Sequence, residues 1–148
     1  MTDRTSPQIY QVFIKASPER VWQALTDPDV SEQYFHGARI TNTPETHTVI
    51  GTDGSDWGSG AVLEFDPPRR LVHEWSSRYD AELAKEPISR ITWEIEDRGA
   101  GVCLLTATHD RLEGSPRTAQ SVGGPGWSYV VSALKTLLET GEPLPRAL

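Results

Sequence analysis

Near the C-terminus, Trp127, Val130, Val131, Leu134, Leu137 and Leu138 recur at i, i+3, i+4, i+7, i+10 and i+11, an unbroken apolar stripe of one helix. Ser128, Ser132, Lys135 and Glu139 lie opposite it. This stripe constrains the fold most, because the segments before it alternate with period two and need an apolar partner. Those segments read as strands at about Arg39–Thr43, Thr46–Thr52, Ala61–Asp66, Arg70–Ser76, Ile88–Asp97 and Gly101–Asp110. Asp53-Gly54, Gly58 and Gly60, Pro67-Pro68, and Asp97-Arg98-Gly99 break them at short intervals, so the strands form an antiparallel meander. Such a sheet must curl around its one long apolar helix.

The N-terminal part supplies the rest of the architecture. Tyr10, Val12 and Ile14 alternate with Gln11 and Lys15 in a half-buried strand from Gln8 to Lys15. Ser17-Pro18 then opens a helix, with serine at the N-cap and proline at the first helical position, where its missing N–H is no loss. Val21, Trp22 and Leu25 give this helix its apolar stripe. Asp27-Pro28-Asp29 stops it and starts a short one, Val30 to Phe35, ending at Gly37. At the far end, Gly141 closes the long helix as a C′ residue, and Pro143 and Pro145 prevent its resumption. Its start is open: Gly123-Gly124-Pro125-Gly126 fits a cap or an irregular turn within a longer helix. The expected class is α+β, one domain over residues 1–148 with a core at 8–141 and flexible termini.

Composition excludes several functions. The formal net charge of −7 and the scattered basic residues, among them Arg4, Lys15, Arg20, Arg39 and Arg78, argue against nucleic acid and anionic membrane surfaces. Cys103 is the only cysteine, which forbids an intrachain disulfide and suits a reducing compartment. Met1 to Gln8 lacks the apolar core of a signal peptide, and no run approaches the roughly 18 apolar residues that span a bilayer. A soluble cytoplasmic protein without membrane insertion is expected.

Three blocks carry a family resemblance. They are Ile14 to Pro28, with Ser17-Pro18-Glu19-Arg20-Val21-Trp22 at its centre; Glu64-Phe65-Asp66-Pro67-Pro68-Arg69-Arg70-Leu71-Val72-His73-Glu74-Trp75; and Gly126-Trp127 with Leu134-Lys135 and Leu137 to Gly141. In this order they resemble the activators of heat-shock protein 90 ATPase, specifically the single-domain bacterial members of that family. The eukaryotic co-chaperone carries an additional N-terminal domain that contacts the chaperone. The resemblance implies the helix-grip fold of the START-like (SRPBCC) superfamily: a curved antiparallel sheet around a long C-terminal helix, with two short helices after the first strand. It also implies a cavity between sheet and helix. It does not imply one function, since relatives include lipid carriers, hormone receptors, polyketide cyclases and co-chaperones.

Strand parity selects the candidate site. Outward Glu74 turns Leu71, His73 and Trp75 inward, and outward Glu94 and Glu96 place Ile91, Trp93 and Ile95 inside. The last strand likewise turns Cys103, Leu105, Ala107 and His109 inward. A cavity is therefore expected among His73, Trp75, Trp93 and His109, facing Trp127 and Val131 of the long helix, with Tyr34 and Phe35 at one lip. Trp57, on a glycine-rich turn, fits either the cavity mouth or a cap over the core. Apolar walls with a few polar groups suit a small lipophilic molecule. The same imidazoles also fit simple packing, bonded to backbone carbonyls.

Other motifs carry less. His36, His47, His73 and His109 lack metal-ligand spacing, and no cofactor motif is present. Cys103 reads as a small buried hydrophobe, and Glu94 with Glu96 as a solvated face. Gly54 to Gly58 imitates a nucleophile elbow but lies in a hairpin region. The leading expectation is a ligand-binding protein. A cyclase or hydrolase with His73 or His109 as base and Tyr34 or Tyr129 polarising a carbonyl is one alternative. An interaction protein with a chaperone or a second copy as partner is another. The loop Tyr79 to Pro87 fits a lid or a plain connection.

Overall fold

The computed structural model describes residues 6–145 except Gly124. The residues expected to be flexible at the ends include 1–5 and 146–148, which lie outside the described residues. In chain order the elements are β1 (Gln8–Ile14), α1 (Pro18–Thr26), α2 (Pro28–Ser31), β2 (Arg39–Asn42), β3 (Thr46–Ile50), β4 (Gly60–Asp66) and β5 (Arg70–Trp75). They continue with α3 (Ala81–Ala84), β6 (Ser89–Asp97), β7 (Cys103–Asp110), α4 (Pro116–Val122) and α5 (Pro125–Thr140). The strands form one antiparallel sheet in the order β1-β7-β6-β5-β4-β3-β2, curled into a half-barrel around α5. This is the helix-grip fold.

Local chemistry sets the element ends. Ser17 Oγ accepts from the Arg20 N–H at 3.2 Å, and Pro18 follows it. Asp27 both ends α1 and caps α2, its carboxylate accepting from the Asp29 N–H. The second helix is one turn, Pro28–Ser31, starting and ending earlier than the expected Val30 to Phe35; hydrogen-bonded turns carry the chain on to Phe35, whose N–H bonds the Ser31 carbonyl, while Ser31 Oγ bonds the backbone at Ala38 and Ile40. Gly141 adopts a φ of 78° and its N–H bonds the Leu137 carbonyl, ending α5.

Two helices were not expected from the sequence. The 79–87 loop contains α3, a single turn capped by Asp80. Helix α4 precedes α5 and draws its N-terminal partner from far away in sequence. Ser115 makes no side-chain cap bond; instead the Glu86 carboxylate accepts from the Arg117 and Thr118 N–H groups at 3.0 and 2.6 Å. The glycine-rich segment, read as a cap or as an irregular turn within a longer helix, falls between α4 and α5, with Gly123 as the C-cap of α4.

The sheet turns where its ladders are weakest. Only Thr46↔Ala61 and His47↔Gly60 join β3 to β4, and the β4–β5 register shifts between Val62 and Glu64. A shift of this kind bends a strand and tightens its twist. Glu74 Oε1 accepts from the Ala61 N–H at 3.0 Å, completing the ladder beside the shift. On the opposite edge, α5 covers β1 with side chains: Lys135 Nζ donates to the Phe13 carbonyl and Glu139 accepts from the Lys15 N–H. Those bonds occupy backbone groups that an edge strand otherwise offers to another chain.

The core lies between the concave face and α5. Leu71, Ile91, Leu105, Val130, Leu134 and Ile14 are all but fully buried, joined by Val21 and Leu25 of α1. Trp22 of α1 turns to the side, packing edge-on against Phe65 at 5.1 Å.

Candidate functional site

At one end of the half-barrel the core does not close. A cavity of about 300 Å³ opens there, lined by Phe35, Trp57, Trp75 and Trp127, with Val49, Val122 and Val130 between the rings. His36, Tyr79 and Ser121 stand at its polar positions. No Asp, Glu, Lys or Arg appears in the lining among the described residues.

Each wall has a physical cause. Trp57 reaches the cavity because its loop is folded tightly: Asp56 Oδ1 accepts from the Gly58 and Ser59 N–H groups, and Arg78 pairs with Asp56 at 2.6 Å. Its indole lies over Gly51, where a Cβ would come within 1.9 Å of the ring. Trp57 therefore lines the mouth and covers the backbone beneath it. The 79–87 loop forms another wall, since Tyr79 approaches Trp57 at 6.0 Å and its hydroxyl meets Ser121 Oγ at 3.2 Å.

The inner wall is a triangle of rings. Phe35, Trp75 and Trp127 meet pairwise at 5.6 to 6.0 Å between centroids, mostly edge to face. Behind it lies a second, much smaller void of about 10 Å³ that shares these three side chains. Leu25, Tyr34, Ile40, Asn42, His47, His73 and Trp93 complete its lining.

Polar groups around this inner void are nearly all committed. Trp93 Nε1 donates to His73 Nε2 at 3.1 Å, so that nitrogen is an acceptor. His73 Nδ1 must then carry the proton, which it donates to the Glu74 carbonyl at 2.9 Å. His47 stacks on His73 with 3.8 Å between ring centroids. Asn42 donates to the Leu25 carbonyl, so its Oδ1 accepts from His47 Nδ1 at 2.8 Å. His47 Nε2 has no partner among the described residues. The Tyr34 hydroxyl donates to the Ala24 carbonyl at 2.7 Å, and burial raises its pKa far above the ordinary phenol.

Burial keeps the imidazoles neutral. Desolvation lowers the His73 pKa to about 4, partly opposed by the Glu74 carbonyl. Desolvation, with the neighbouring His73, holds His47 well below its usual value. His109 falls to about 3, again chiefly by desolvation and despite Asp110.

The structure thus separates the residues that parity and spacing proposed. Phe35, Trp57, Trp75 and Trp127 line the larger cavity; Tyr34, His73 and Trp93 line only the inner void. His109 and Val131 line neither, and Val130 stands where Val131 was expected. His109 Nε2 meets Ser89 Oγ at 2.6 Å, a spacing that also suits a nucleophile and its base, yet both residues are 1% exposed and face no cavity. Tyr129, offered as a carbonyl-polarising group, bonds the Pro145 carbonyl and stacks on His36. Cys103 donates to the Ala16 carbonyl from the core, and burial raises its pKa. No group of three or more His, Cys, Asp or Glu side chains among the described residues is placed to hold a metal ion.

Spacing in the sequence concealed His47. It lies 26 positions from His73 in the numbering, and only the bend at β3–β4–β5 stacks the two rings. The period-two signal that turned His73 inward was equally available in Thr46-His47-Thr48-Val49, where Val49 marks the buried face.

Residues 15–139 match the family described as activator of Hsp90 ATPase homolog 1-like protein. The chain belongs to that family. No curated protein sequence matches it. Among solved structures it is similar to CalU16 from Micromonospora echinospora, with 23% identity over 91% of this chain and 77% of that one, and a TM-score of 0.68. DynU16, a protein of the dynemicin biosynthetic locus, shares 26% identity over 93% of this chain with a TM-score of 0.73; the match spans 48% of DynU16. The Aha1 dimer from Colwellia psychrerythraea shares 20% identity over 92% of this chain and 98% of that one, with a TM-score of 0.69. No helix among the described residues is long and apolar enough to cross a membrane.

Proposed function

We propose that this Aha1-like protein binds a small hydrophobic or amphipathic molecule in the cavity between sheet and α5. The observation that carries this reading is the roughly 300 Å³ space walled by Phe35, Trp57, Trp75 and Trp127, with no charged side chain in its lining among the described residues. That volume lies at the lower end of small-molecule sites, and its composition matches theirs. Affinity would rest on apolar surface removed from water, about 25 cal/mol per Å². Catalysis draws no support from the geometry, since both nitrogens of His73 are committed and His109 faces no cavity. Titration with lipophilic compounds, read by tryptophan fluorescence, tests the proposal. Saturable quenching that Trp57→Ala removes supports it; no response from any compound in a broad set overturns it.

A second reading concerns assembly. Ile9 and Phe13 are more than half exposed on the outer face of β1, and Phe13 pairs with Leu104 of β7. The Colwellia relative is described as a dimer. We propose a homodimer through this face. Light scattering on the native chain and on Phe13→Glu decides it: a dimer that the substitution dissociates supports the reading, and a native monomer excludes it.

A further inference from the structure

We propose that the ligand is a neutral aromatic molecule bearing a hydroxyl, and that this hydroxyl donates a hydrogen bond to His47 Nε2. The inference rests on the binding reading above and names the chemistry that the inner void selects.

Of the polar side chains that line the void, Tyr34, Asn42, His73, Trp75 and Trp93 each have a hydrogen-bond partner. Trp93 spends its only N–H on His73. His73 accepts there and donates to the Glu74 carbonyl. Asn42 holds the Leu25 carbonyl with its amide nitrogen and His47 Nδ1 with its oxygen. That bond places the His47 proton on Nδ1 and leaves Nε2 a bare lone pair. The residue is 1% exposed and lines the void, and Nε2 has no partner. An uncommitted buried acceptor is costly, so a group that satisfies it binds with more than its contact area.

The remaining alternatives fail on charge and size. An ionised carboxylate would bring a second acceptor toward a lone pair, with no Lys or Arg in either lining among the described residues to neutralise it. An ammonium would enter without Asp or Glu beside it, and an unpaired buried charge is strongly disfavoured. A neutral donor has neither penalty. The void of about 10 Å³ has room for one oxygen, roughly a water's worth. The ring that carries this oxygen must stay in the larger cavity. Phe35, Trp75 and Trp127 line both spaces and pack against one another, so the bound state requires these rings to part and admit the hydroxyl.

Three probes of similar shape separate the causes: 2-naphthol, naphthalene and 2-methoxynaphthalene. The first offers a donor; the other two, one smaller and one larger, do not. Calorimetry at neutral pH should show 2-naphthol binding at least about tenfold tighter than either, the loss expected when a buried acceptor goes unmet. Imidazole nitrogen NMR of the native protein should show His47 Nε2 shifting with 2-naphthol alone, while His73 Nε2 keeps its Trp93 bond and its shift. This readout needs no substitution, which matters because His47→Phe also strands Asn42. In that variant, if it folds, the preference for 2-naphthol should vanish. Equal affinities with an unmoved His47 resonance would overturn this inference and leave the binding reading standing. No binding by any of the three would overturn this inference, and only silence across the broader set would overturn the binding reading with it.

Discussion

The two spaces on either side of the Phe35–Trp75–Trp127 triangle are built on opposite principles. The outer one is large, apolar and open, and its few polar groups stand at the rim. The inner one holds little more than a water-sized gap, yet hydrogen-bonded polar side chains and one uncommitted nitrogen surround it. Apolar surface supplies affinity without choosing among ligands, whereas a buried hydrogen-bonding group discriminates by what it leaves unpaired. On this account the outer cavity binds and the inner void selects.

The largest effect should come from removing the partition. Trp127→Ala takes away a ring that is 4% exposed and in contact with Phe35, Trp75 and Trp93, and should lower stability by about 3–5 kcal/mol in urea unfolding. If the loss is below about 1 kcal/mol, the two spaces are not held apart by packing.

Acid should act through the buried imidazoles. The folded His73, His47 and His109 all have pKa values below the unfolded value near 6.5. Between the folded and unfolded pKa values the unfolded chain binds more protons, so stability is full above about pH 6.5 and falls as pH drops toward 4 and then 3. Urea midpoints from pH 8 to pH 4 check this, and a flat profile from pH 7 to pH 5 would contradict the neutral, buried imidazoles.

Smaller effects sharpen the contrast. Asn42→Ala leaves His47 Nδ1–H and the Leu25 carbonyl unmet and should cost about 1–3 kcal/mol by the same measurement. Glu86→Gln weakens the cap that ties the 79–87 loop to α4, a change of about 1 kcal/mol or less. Its signature is faster amide hydrogen exchange at Arg117 and Thr118, with the imidazole cluster unaffected. Glu94→Gln on the convex face breaks only an exposed pair with Arg70 and should stay within about 0.5 kcal/mol of the parent.

Much of the scaffold was legible from alternation and capping alone. Ser17-Pro18, Asp27-Pro28 and Gly141 mark real element ends, and the residues that parity turns inward in β5, β6 and β7 are buried, although Val72 and Thr92 of the opposite parity are buried as well. What stayed hidden depends on tertiary geometry. Helix α4 is short, carries no long apolar stripe, and takes its cap from Glu86, about thirty positions upstream. The His47–His73 stack exists because the sheet bends where β3 and β4 share only two residue pairs. Sequence pattern turned the imidazoles inward but could not place them on the far side of a ring partition from the cavity.

Native mass spectrometry of the protein from its own host, followed by reloading with 2-naphthol, tests the central claim most directly. The account predicts a discrete non-covalent mass that leaves on denaturation, and a 2-naphthol adduct that Trp57→Ala weakens. A protein that arrives empty and takes up neither 2-naphthol nor any other neutral aromatic compound would contradict it.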